Sequence, residues 1–165
     1  MALRVVVMGV SGCGKSHIGA ALAARLGIAW RDGDDLHPAE NLRKMRAGQA
    51  LEDGDRWPWL DRVAAALHGE APLIIGCSAL RRAYRDRLRA GAGGPVAFVH
   101  LTGSKDLIAA RMAARQGHFM PPALLDSQFA TLEPPAPEET ALALDVAAAP
   151  EALVTEAAAW LMRQG

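Results

Sequence analysis

The sequence predicts a three-layer α/β fold, in which a five-stranded parallel sheet carries helices on both faces and a small lid. Three observations support this prediction. Short apolar, β-branched runs alternate along the chain with segments of helical periodicity. A glycine-rich turn joins the first strand to the first helix, and a proline-rich stretch interrupts the alternation near the end. At 165 residues the chain suits a single domain, residues 1–165.

The first strand and helix are the clearest elements. Residues 3–8 are mostly apolar and end at a glycine, which predicts a strand buried on both faces. Apolar residues then recur every four positions at Ile18, Leu22 and Leu26, and Gly27 suits a helix C-terminus. This pattern predicts a helix over residues 16–26.

The middle of the chain continues the alternation. Residues 29–31 predict a short second strand, and a proline opens a predicted helix over 38–45. A further helix is predicted over 59–67. Residues 72–76 form a third apolar run, and 80–88 a helix before a Gly-Pro turn.

The last third predicts two more strands. Residues 96–101 are a fourth apolar run, and Ser104 can cap a helix that extends to residue 115. Alternating apolar residues over 142–146 predict the fifth strand, followed by a helix over 151–162. Five prolines punctuate the stretch between the helix that ends at residue 115 and the fifth strand, and we interpret residues 115–137 as a lid.

Charge and cysteine content exclude several kinds of protein. The chain has 18 Lys and Arg against 18 Asp and Glu, so no bulk charge favours nucleic acid or an anionic membrane. Cys13 and Cys77 lie far apart with no metal-ligand spacing, and we expect two free thiols. The N-terminus shows no signal peptide or long apolar span, so we expect a cytoplasmic protein.

Residues 9–16 carry the strongest motif. They match G-x-x-x-x-G-K-[ST] with a predicted strand before and a helix after, the context of a phosphate-binding loop. Glycines let consecutive N–H groups turn inward around phosphate oxygens at a helix N-terminus. The motif predicts an ATP site in which Lys15 reaches the β- and γ-phosphates and Ser16 binds Mg²⁺. The predicted nucleotide-binding residues are Gly9, Val10, Ser11, Gly12, Cys13, Gly14, Lys15 and Ser16.

The acidic group that such a site needs is not at the usual place. The third predicted strand ends Ile75-Gly76-Cys77-Ser78 with no aspartate, and the sequence contains neither D-x-x-G nor N/T-K-x-D of a GTPase. Residues 32–35, Asp-Gly-Asp-Asp, follow the second strand at the same sheet edge as the loop. One carboxylate could hold Mg²⁺ while another accepts a proton from an attacking hydroxyl. The alternative is a merely acidic turn.

A series of motifs in order resembles the gluconokinases, which belong to a superfamily of small P-loop kinases with shikimate kinase and the nucleoside monophosphate kinases. The resemblance spans almost the whole chain. Cys13 departs from it, since the family more often has Ser there. The motifs are GVSGCGKS at 9–16, DGDDLHP at 32–38, NLRKM at 41–45, DRWPWL at 55–60, CSALRRAYRD at 77–86, RMAARQGHF at 111–119 and QFATLEPP at 128–135.

The resemblance implies a reaction and several roles. It implies phosphorylation of gluconate at its 6-hydroxyl by ATP and Mg²⁺, giving 6-phosphogluconate and ADP. It places Asp34 at the acceptor hydroxyl, Asp32 at the magnesium, Arg115 on the phosphates and Arg111 nearer the nucleotide base. It also implies a homodimer, and adenine packing against the loop at 146–150.

The remaining substrate contacts are open at this stage. The substrate carboxylate needs a cation, which Arg56 or Arg85 could supply, although either could equally be a solvated surface residue. His37 could bond a substrate hydroxyl or pack near its neighbouring proline. Ser78 ends the third strand beside the acceptor, and His118 in the lid is a further candidate.

Three alternatives remain beside this reading. The acceptor could be shikimate or a nucleoside monophosphate, or the chain could be a nucleotide-binding regulator without turnover. Trp57 and Trp59 flank a proline, and anchoring that segment to the core is the favoured interpretation of both.

Overall fold

The computed structural model describes residues 2–114 and 122–164, and their strands form one parallel sheet. The strand order is β2-β3-β1-β4-β5, and all neighbours are parallel. The predicted five-stranded sheet is therefore confirmed. The strands are β1 (Arg4–Met8), β2 (Ala29–Asp32), β3 (Leu73–Gly76), β4 (Ala97–Thr102) and β5 (Ala141–Asp145).

Seven helices accompany the sheet in the described part of the chain, together with a 3-10 turn at Gly33–Leu36 after β2. One of these helices lies within the stretch predicted as a lid. Residues 115–121 of that stretch lie outside the described residues. The helices are α1 (Lys15–Leu26), α2 (Ala39–Arg46), α3 (Asp53–Gly69), α4 (Arg82–Gly91), α5 (Lys105–Ala114), α6 (Pro122–Thr131) and α7 (Pro150–Gln164).

Strand β1 lies at the centre of the sheet and divides the core. Its last four residues are fully buried, as the apolar run predicts, and they alternate between the two faces. Val5 and Val7 pack with residues of α1 and α7, whereas Val6 and Met8 pack with residues of α3 and α4. The loop that follows β1 therefore starts from the buried centre of the sheet.

Helix α3 begins six residues before the predicted start at residue 59. Glu52 and Asp55 form a capping box, in which each side chain accepts a hydrogen bond from the other's backbone N–H. The Asp55 carboxylate lies 2.9 Å from the Glu52 nitrogen. A proline lacks an amide hydrogen, so Pro58 suggests a helix boundary. The capping box instead starts the helix before Pro58, which therefore lies inside it.

Two smaller predictions, the cap at Ser104 and the two free thiols, are confirmed. The Ser104 hydroxyl accepts a hydrogen bond from the Leu107 nitrogen at 3.1 Å and so caps α5. Cys13 and Cys77 are both buried free thiols. Within the described ranges, no helix combines the length and apolar character needed to cross a membrane.

Candidate active site

The turn between β1 and α1 has the geometry of a phosphate-binding loop. Gly9, Gly12 and Gly14 have φ angles of 147°, 82° and 98°, which L-residues rarely adopt. Space is also restricted, because a Cβ atom on Gly9 would lie 2.8 Å from the carbonyl oxygen of Leu101. Helix α1 begins immediately afterwards at Lys15, so its free N–H groups open onto the loop.

Lys15 lies folded along this loop. Its ammonium group donates hydrogen bonds to the carbonyl oxygens of Gly9, at 2.9 Å, and Val10, at 3.1 Å. The cation is therefore held at the rim of the loop by two neutral acceptors, which it can exchange for phosphate oxygens.

Helix α6 is joined to the same loop through Gln128. Its side-chain oxygen accepts from the Ser11 nitrogen at 2.7 Å, and its side-chain nitrogen lies 3.1 Å from the Ser11 hydroxyl. The sequence analysis assigned no role to Gln128. The only signal for it was its place at the start of one quoted motif, QFATLEPP.

The acidic turn after β2 is packed tightly against β3. Asp32 is in register with Gly76, and a Cβ atom on Gly33 would lie only 2.2 Å from the Gly76 carbonyl oxygen. One Asp32 oxygen accepts from the Asp34 nitrogen at 2.9 Å, and the other from the Ser16 hydroxyl at 3.4 Å. The turn therefore brings Asp32 to the phosphate loop, as the sheet-edge argument predicts.

Ser16 and Asp32 form a pair of oxygen ligands suited to Mg²⁺. In the described part of the chain, no group of three or more His, Cys, Asp or Glu converges on a possible metal position. Magnesium in nucleotide sites commonly binds one or two protein oxygens and completes its shell with phosphates and water. The hydroxyl and carboxylate present here fit that pattern.

Asp34 stands in a concavity, reached by solvent but surrounded by protein. Loss of hydration there raises the pKa of its carboxyl group, the Lys15 charge lowers it, and the charges of Asp32 and Asp35 raise it further. The net effect is a raised pKa, which makes the carboxylate a stronger base.

His37 is buried beside Asp34 and held in one orientation. Its ring stacks on Trp59 with 4.0 Å between centroids. Its Nδ1 lies 3.1 Å from the Asn41 amide nitrogen, which can only donate, so Nδ1 accepts and Nε2 carries the hydrogen. Nε2 lies 3.9 Å from an Asp34 carboxylate oxygen. Burial, with the nearby Arg56 charge, lowers the pKa of His37 to about 4, so the ring is neutral at pH 7.

Trp59 supports this arrangement from α3. Its indole nitrogen donates a 2.8 Å hydrogen bond to the Gly33 carbonyl oxygen, and its ring is almost fully buried. The interpretation of Trp59 as an anchor agrees with these contacts. The same contact positions the acidic turn, because Gly33 separates the two aspartates.

One pocket brings six predicted site residues together: Ser11, Lys15, Asp34, His37, Arg56 and Ser78. We call it the acceptor pocket. Its wall also includes residues for which the sequence predicts no role, and these come from the end of α2, from the loop after it and from α6: Met45, Gln49, Ala50, Leu51, Leu124, Ser127 and Gln128.

Arg56 is fixed at the wall of the acceptor pocket. Its guanidinium donates to the Tyr84 hydroxyl at 2.9 Å and lies 3.5 Å from an Asp53 oxygen. The Tyr84 hydroxyl in turn donates to Asp53. These contacts orient the guanidinium and leave it bordering the pocket.

Arg85 lies elsewhere. It is fully buried, and its Nε and Nη2 donate to the two Glu139 carboxylate oxygens at 2.7 and 3.2 Å. Its Nη1 donates to the Ala79 carbonyl oxygen at 2.8 Å. Because all three guanidinium nitrogens donate to protein acceptors and the side chain is sealed from solvent, the structure takes Arg85 out of the candidates for a substrate carboxylate.

The predicted lid residues are only partly described. Arg111 is exposed on the last turn of α5. The adjacent Met112 packs so closely over Gly12 that a Cβ atom there would lie 2.4 Å from it. Arg115 and His118 lie outside the described residues.

Comparison with known proteins places this site in a family. A family model described as an AAA domain matches residues 5–135. The thermosensitive gluconokinase of Escherichia coli (strain K12) is 48% identical over 147 residues, which cover 86% of this chain and 78% of that protein. The gluconokinase of Gluconobacter oxydans (strain 621H) is 43% identical over 156 residues, covering 92% and 87%.

A solved structure agrees with these sequence relatives. The crystal structure of a gluconokinase from Sinorhizobium meliloti 1021 superposes with a TM-score of 0.92 at 49% identity. The match covers 99% of this chain and 93% of that one. Fold and sequence similarity therefore extend over the same, nearly complete, length.

Proposed function

The chain belongs to the gluconokinase family, and from this premise we propose that it transfers the γ-phosphoryl group of ATP to the 6-hydroxyl of gluconate, giving 6-phosphogluconate and ADP. One observation carries the proposal. The acceptor pocket joins the phosphate-loop Lys15 to a carboxylate of raised pKa, Asp34, and to an oriented arginine, Arg56. The relatives give no support to the other acceptors or to a regulator without turnover.

On the donor side, the phosphate loop binds and positions ATP. The inward N–H groups of the loop and the N-terminus of α1 hold the phosphate oxygens, and Lys15 leaves its two carbonyl partners for the β- and γ-phosphates. We assign Arg115 to the transferring phosphate and Arg111 to the nucleotide base, as the resemblance implies.

Ser16 and Asp32 are the residues that would hold Mg²⁺. When bound, the ion supplies positive charge that offsets the charge of the phosphate oxygens. Asp32 also accepts the Asp34 backbone N–H, so the same residue that faces the metal position orients the base.

Asp34 accepts the proton of the attacking hydroxyl. Its raised pKa strengthens it as a base, and the nearby Lys15 charge opposes that rise. His37 borders this carboxylate through Nε2–H, which can donate to an oxygen held between them. The hydroxyl is thereby directed toward the phosphate loop.

Arg56 binds the substrate carboxylate at the far wall of the pocket. Its planar guanidinium is already oriented by Tyr84 and Asp53, so little conformational entropy is lost on binding. Ser78 at the exit of β3 contacts the sugar-acid chain between these two ends, and His118 remains a candidate from the lid.

We also propose a homodimer located in the cytoplasm. The dimer rests on the family resemblance, and the compartment on the use of ATP and on two buried free thiols. Light scattering on the eluting protein tests the dimer, which a monomer mass at micromolar concentration would contradict.

The experiment that tests the reaction is coupled ADP release with ATP and Mg²⁺. The acceptor panel contains gluconate, shikimate, AMP and glycerate, with a sample that lacks an acceptor. Release only with gluconate, lost on chelation of Mg²⁺ and restored by its addition, is the expected result. ATP binding without any acceptor-dependent release would overturn the proposed function.

A further inference from the structure

A second cavity lies apart from the acceptor pocket, beneath α6. It has a volume of about 440 Å³ and is bordered by strands β4 and β5, by α6, and by the proline-rich segment that follows α6. Among the described residues, none borders both cavities. Its size is within the range of small-molecule sites.

Two alanines of β5 lie at the floor of the cavity. Ala141 and Ala143 are in register with Phe98 and His100 of β4, on one face of the sheet. Their small side chains leave the space beside His100 unfilled. Phe129, Leu132 and three prolines form the opposite wall.

His100 is the polar group available at this floor. It is only 4% exposed, and neither ring nitrogen makes a hydrogen bond to another residue in the described ranges. In that part of the chain, every side-chain nitrogen or oxygen that is wholly sealed from solvent has a hydrogen-bond partner. Since the ring nitrogens of His100 make no such bond, they are not sealed, and they face the cavity. Burial, together with the Arg85 charge, lowers the pKa of His100 to about 4, so its ring is neutral at pH 7.

The other polar groups of the wall are already engaged. Glu139 accepts hydrogen bonds from Arg85, Arg89 and the Ala136 nitrogen. The Thr102 hydroxyl donates to the Leu144 carbonyl oxygen at 3.2 Å. A charged ligand would therefore lose its hydration without gaining an ionic partner, whereas a neutral flat ring with one polar atom would gain both burial and a hydrogen bond.

From these observations we propose that the cavity beneath α6 is a second ligand site, which takes a neutral aromatic heterocycle hydrogen-bonded to His100. The site does not depend on the assigned reaction. It adjoins the phosphate loop, because Val10 and Phe129 border the cavity while their neighbours Ser11 and Gln128 hydrogen-bond to each other.

Two probes of the same shape test the hydrogen bond. Indole carries one N–H, and indene has the same two rings without nitrogen. Titrations followed by ligand-observed NMR, with saturating ADP to block the nucleotide site, give the two affinities. We expect saturable binding of both, with indole favoured about tenfold, since the hydrogen bond to His100 would otherwise be unmade.

Three variants separate the cavity from the rest of the surface. His100→Leu should remove the preference for indole, whereas His100→Gln, which keeps a polar group, should retain most of it. Ala143→Phe should fill the cavity and abolish binding of both probes. Ala65→Phe, at an exposed position of α3, is the matched control and should bind as the unchanged protein does. Thermal melts confirm that each variant is folded.

Three results would overturn the proposal. They are the absence of saturable binding by either probe, displacement of the probes by ADP, and binding that is unaffected by both Ala143→Phe and His100→Leu. Each is independent of whether gluconate is phosphorylated.

Discussion

The acceptor pocket and the buried ion cluster around Arg85 each hold an arginine beside a carboxylate, but the two arginines differ in how far protein groups surround them. In the pocket, Arg56 touches Tyr84 and Asp53 and still borders open space. In the cluster, all three guanidinium nitrogens of Arg85 donate to Glu139 or to the Ala79 carbonyl oxygen, and the side chain is fully buried.

An arginine's role therefore depends on whether protein groups already accept hydrogen bonds from all of its guanidinium nitrogens. A buried guanidinium whose nitrogens all donate to protein groups is closed to a ligand, but its removal takes the bidentate partner from a buried carboxylate. An oriented guanidinium with free donors can bind a ligand, and its removal disturbs little else. The pocket should therefore respond to mutation in its kinetics and the cluster in its stability.

The largest effect is expected at the reacting end of the pocket. Asp34→Asn should lower kcat by about 10²–10⁴-fold, because the general base is lost, while ATP affinity changes little. Steady-state coupled assays and calorimetric titration with ATP measure the two quantities. Asp35→Asn, at the exposed neighbouring carboxylate, is the control and should remain near normal. An Asp34→Asn protein with turnover within a few-fold of normal would contradict the assignment.

The cluster should show the largest loss of stability. Arg85→Met leaves the Glu139 carboxylate without its bidentate partner and should lower the free energy of unfolding by about 3–5 kcal/mol. Denaturant titration measures it, and the KM for gluconate of the remaining folded protein should not change. Arg87 lies on the same helix as Arg85 and forms an exposed ion pair with Asp61 of α3. Arg87→Met removes this pair and should lower the free energy of unfolding by about 1 kcal/mol or less.

If Arg85→Met does not fold, the double variant Arg85→Met/Glu139→Gln serves the same purpose, because it removes the stranded charge. A raised KM in either variant would return Arg85 to the substrate side and erase the contrast between the two regions.

Arg56 should give a smaller effect, confined to substrate binding. Arg56→Met should lower kcat/KM for gluconate by about 10–100-fold, the value of a hydrogen-bonded charge pair, with little change in stability. Tyr84 and Asp53 keep their mutual hydrogen bond in this variant. Arg62→Met, at an exposed position of the same helix, is the matched control. Unchanged kinetics in Arg56→Met would show that another group holds the carboxylate.

The smallest effect separates the regions by pH. The folded-state pKa of His37 is about 4, below its ordinary 6.5, so the unfolded chain binds more protons between these values. The free energy of unfolding should therefore fall as pH drops from 6.5 to 4, by on the order of 1 kcal/mol per pH unit for each such histidine. His100, with a pKa of about 4, acts in the same direction.

Glu139 responds in a different window. Burial raises its pKa, but hydrogen bonds from Arg85 and Arg89 bring it down to about 2. Its stabilising contribution is complete above pH 4.5 and is lost as pH falls toward 2.

The histidine effect is tested by denaturant titrations at several pH values. The free energy of unfolding of His37→Gln should change less between pH 6.5 and 4 than that of the unchanged protein, whereas His17→Gln, at an exposed site on α1, should change as the unchanged protein does. Equal slopes in the two variants would contradict the assignment.

The parts of the molecule that local sequence determines were predictable. The phosphate loop depends on glycine positions within eight residues, and the acidic turn lies next to the strand that delivers it. Ser78 followed from the rule that parallel strands end at one edge of the sheet, and the pocket contains it. Strands β1, β3 and β4 followed from hydrophobic patterning, because each is a short, mostly apolar run between turns, and β5 followed from its alternating apolar residues.

The parts that depend on distant partners were not predictable. Arg85 is saturated by Glu139, 54 residues further along the chain, and Gln128 meets Ser11 across 117 residues. No local pattern distinguishes Arg85 from Arg56. The early start of α3 was missed for another reason, because Pro58 outweighs the capping box in a reading of helix boundaries.

Gly33 has a consequence for laboratory evolution. It binds nothing through a side chain, yet any Cβ there would strike the Gly76 carbonyl oxygen. A saturation library should therefore tolerate almost no replacement at Gly33. Gln49, Ala50 and Leu51, which lie in a loop on the pocket wall, should accept many. Selection for a new acceptor would then proceed through that loop, with the proposed base Asp34 left in place.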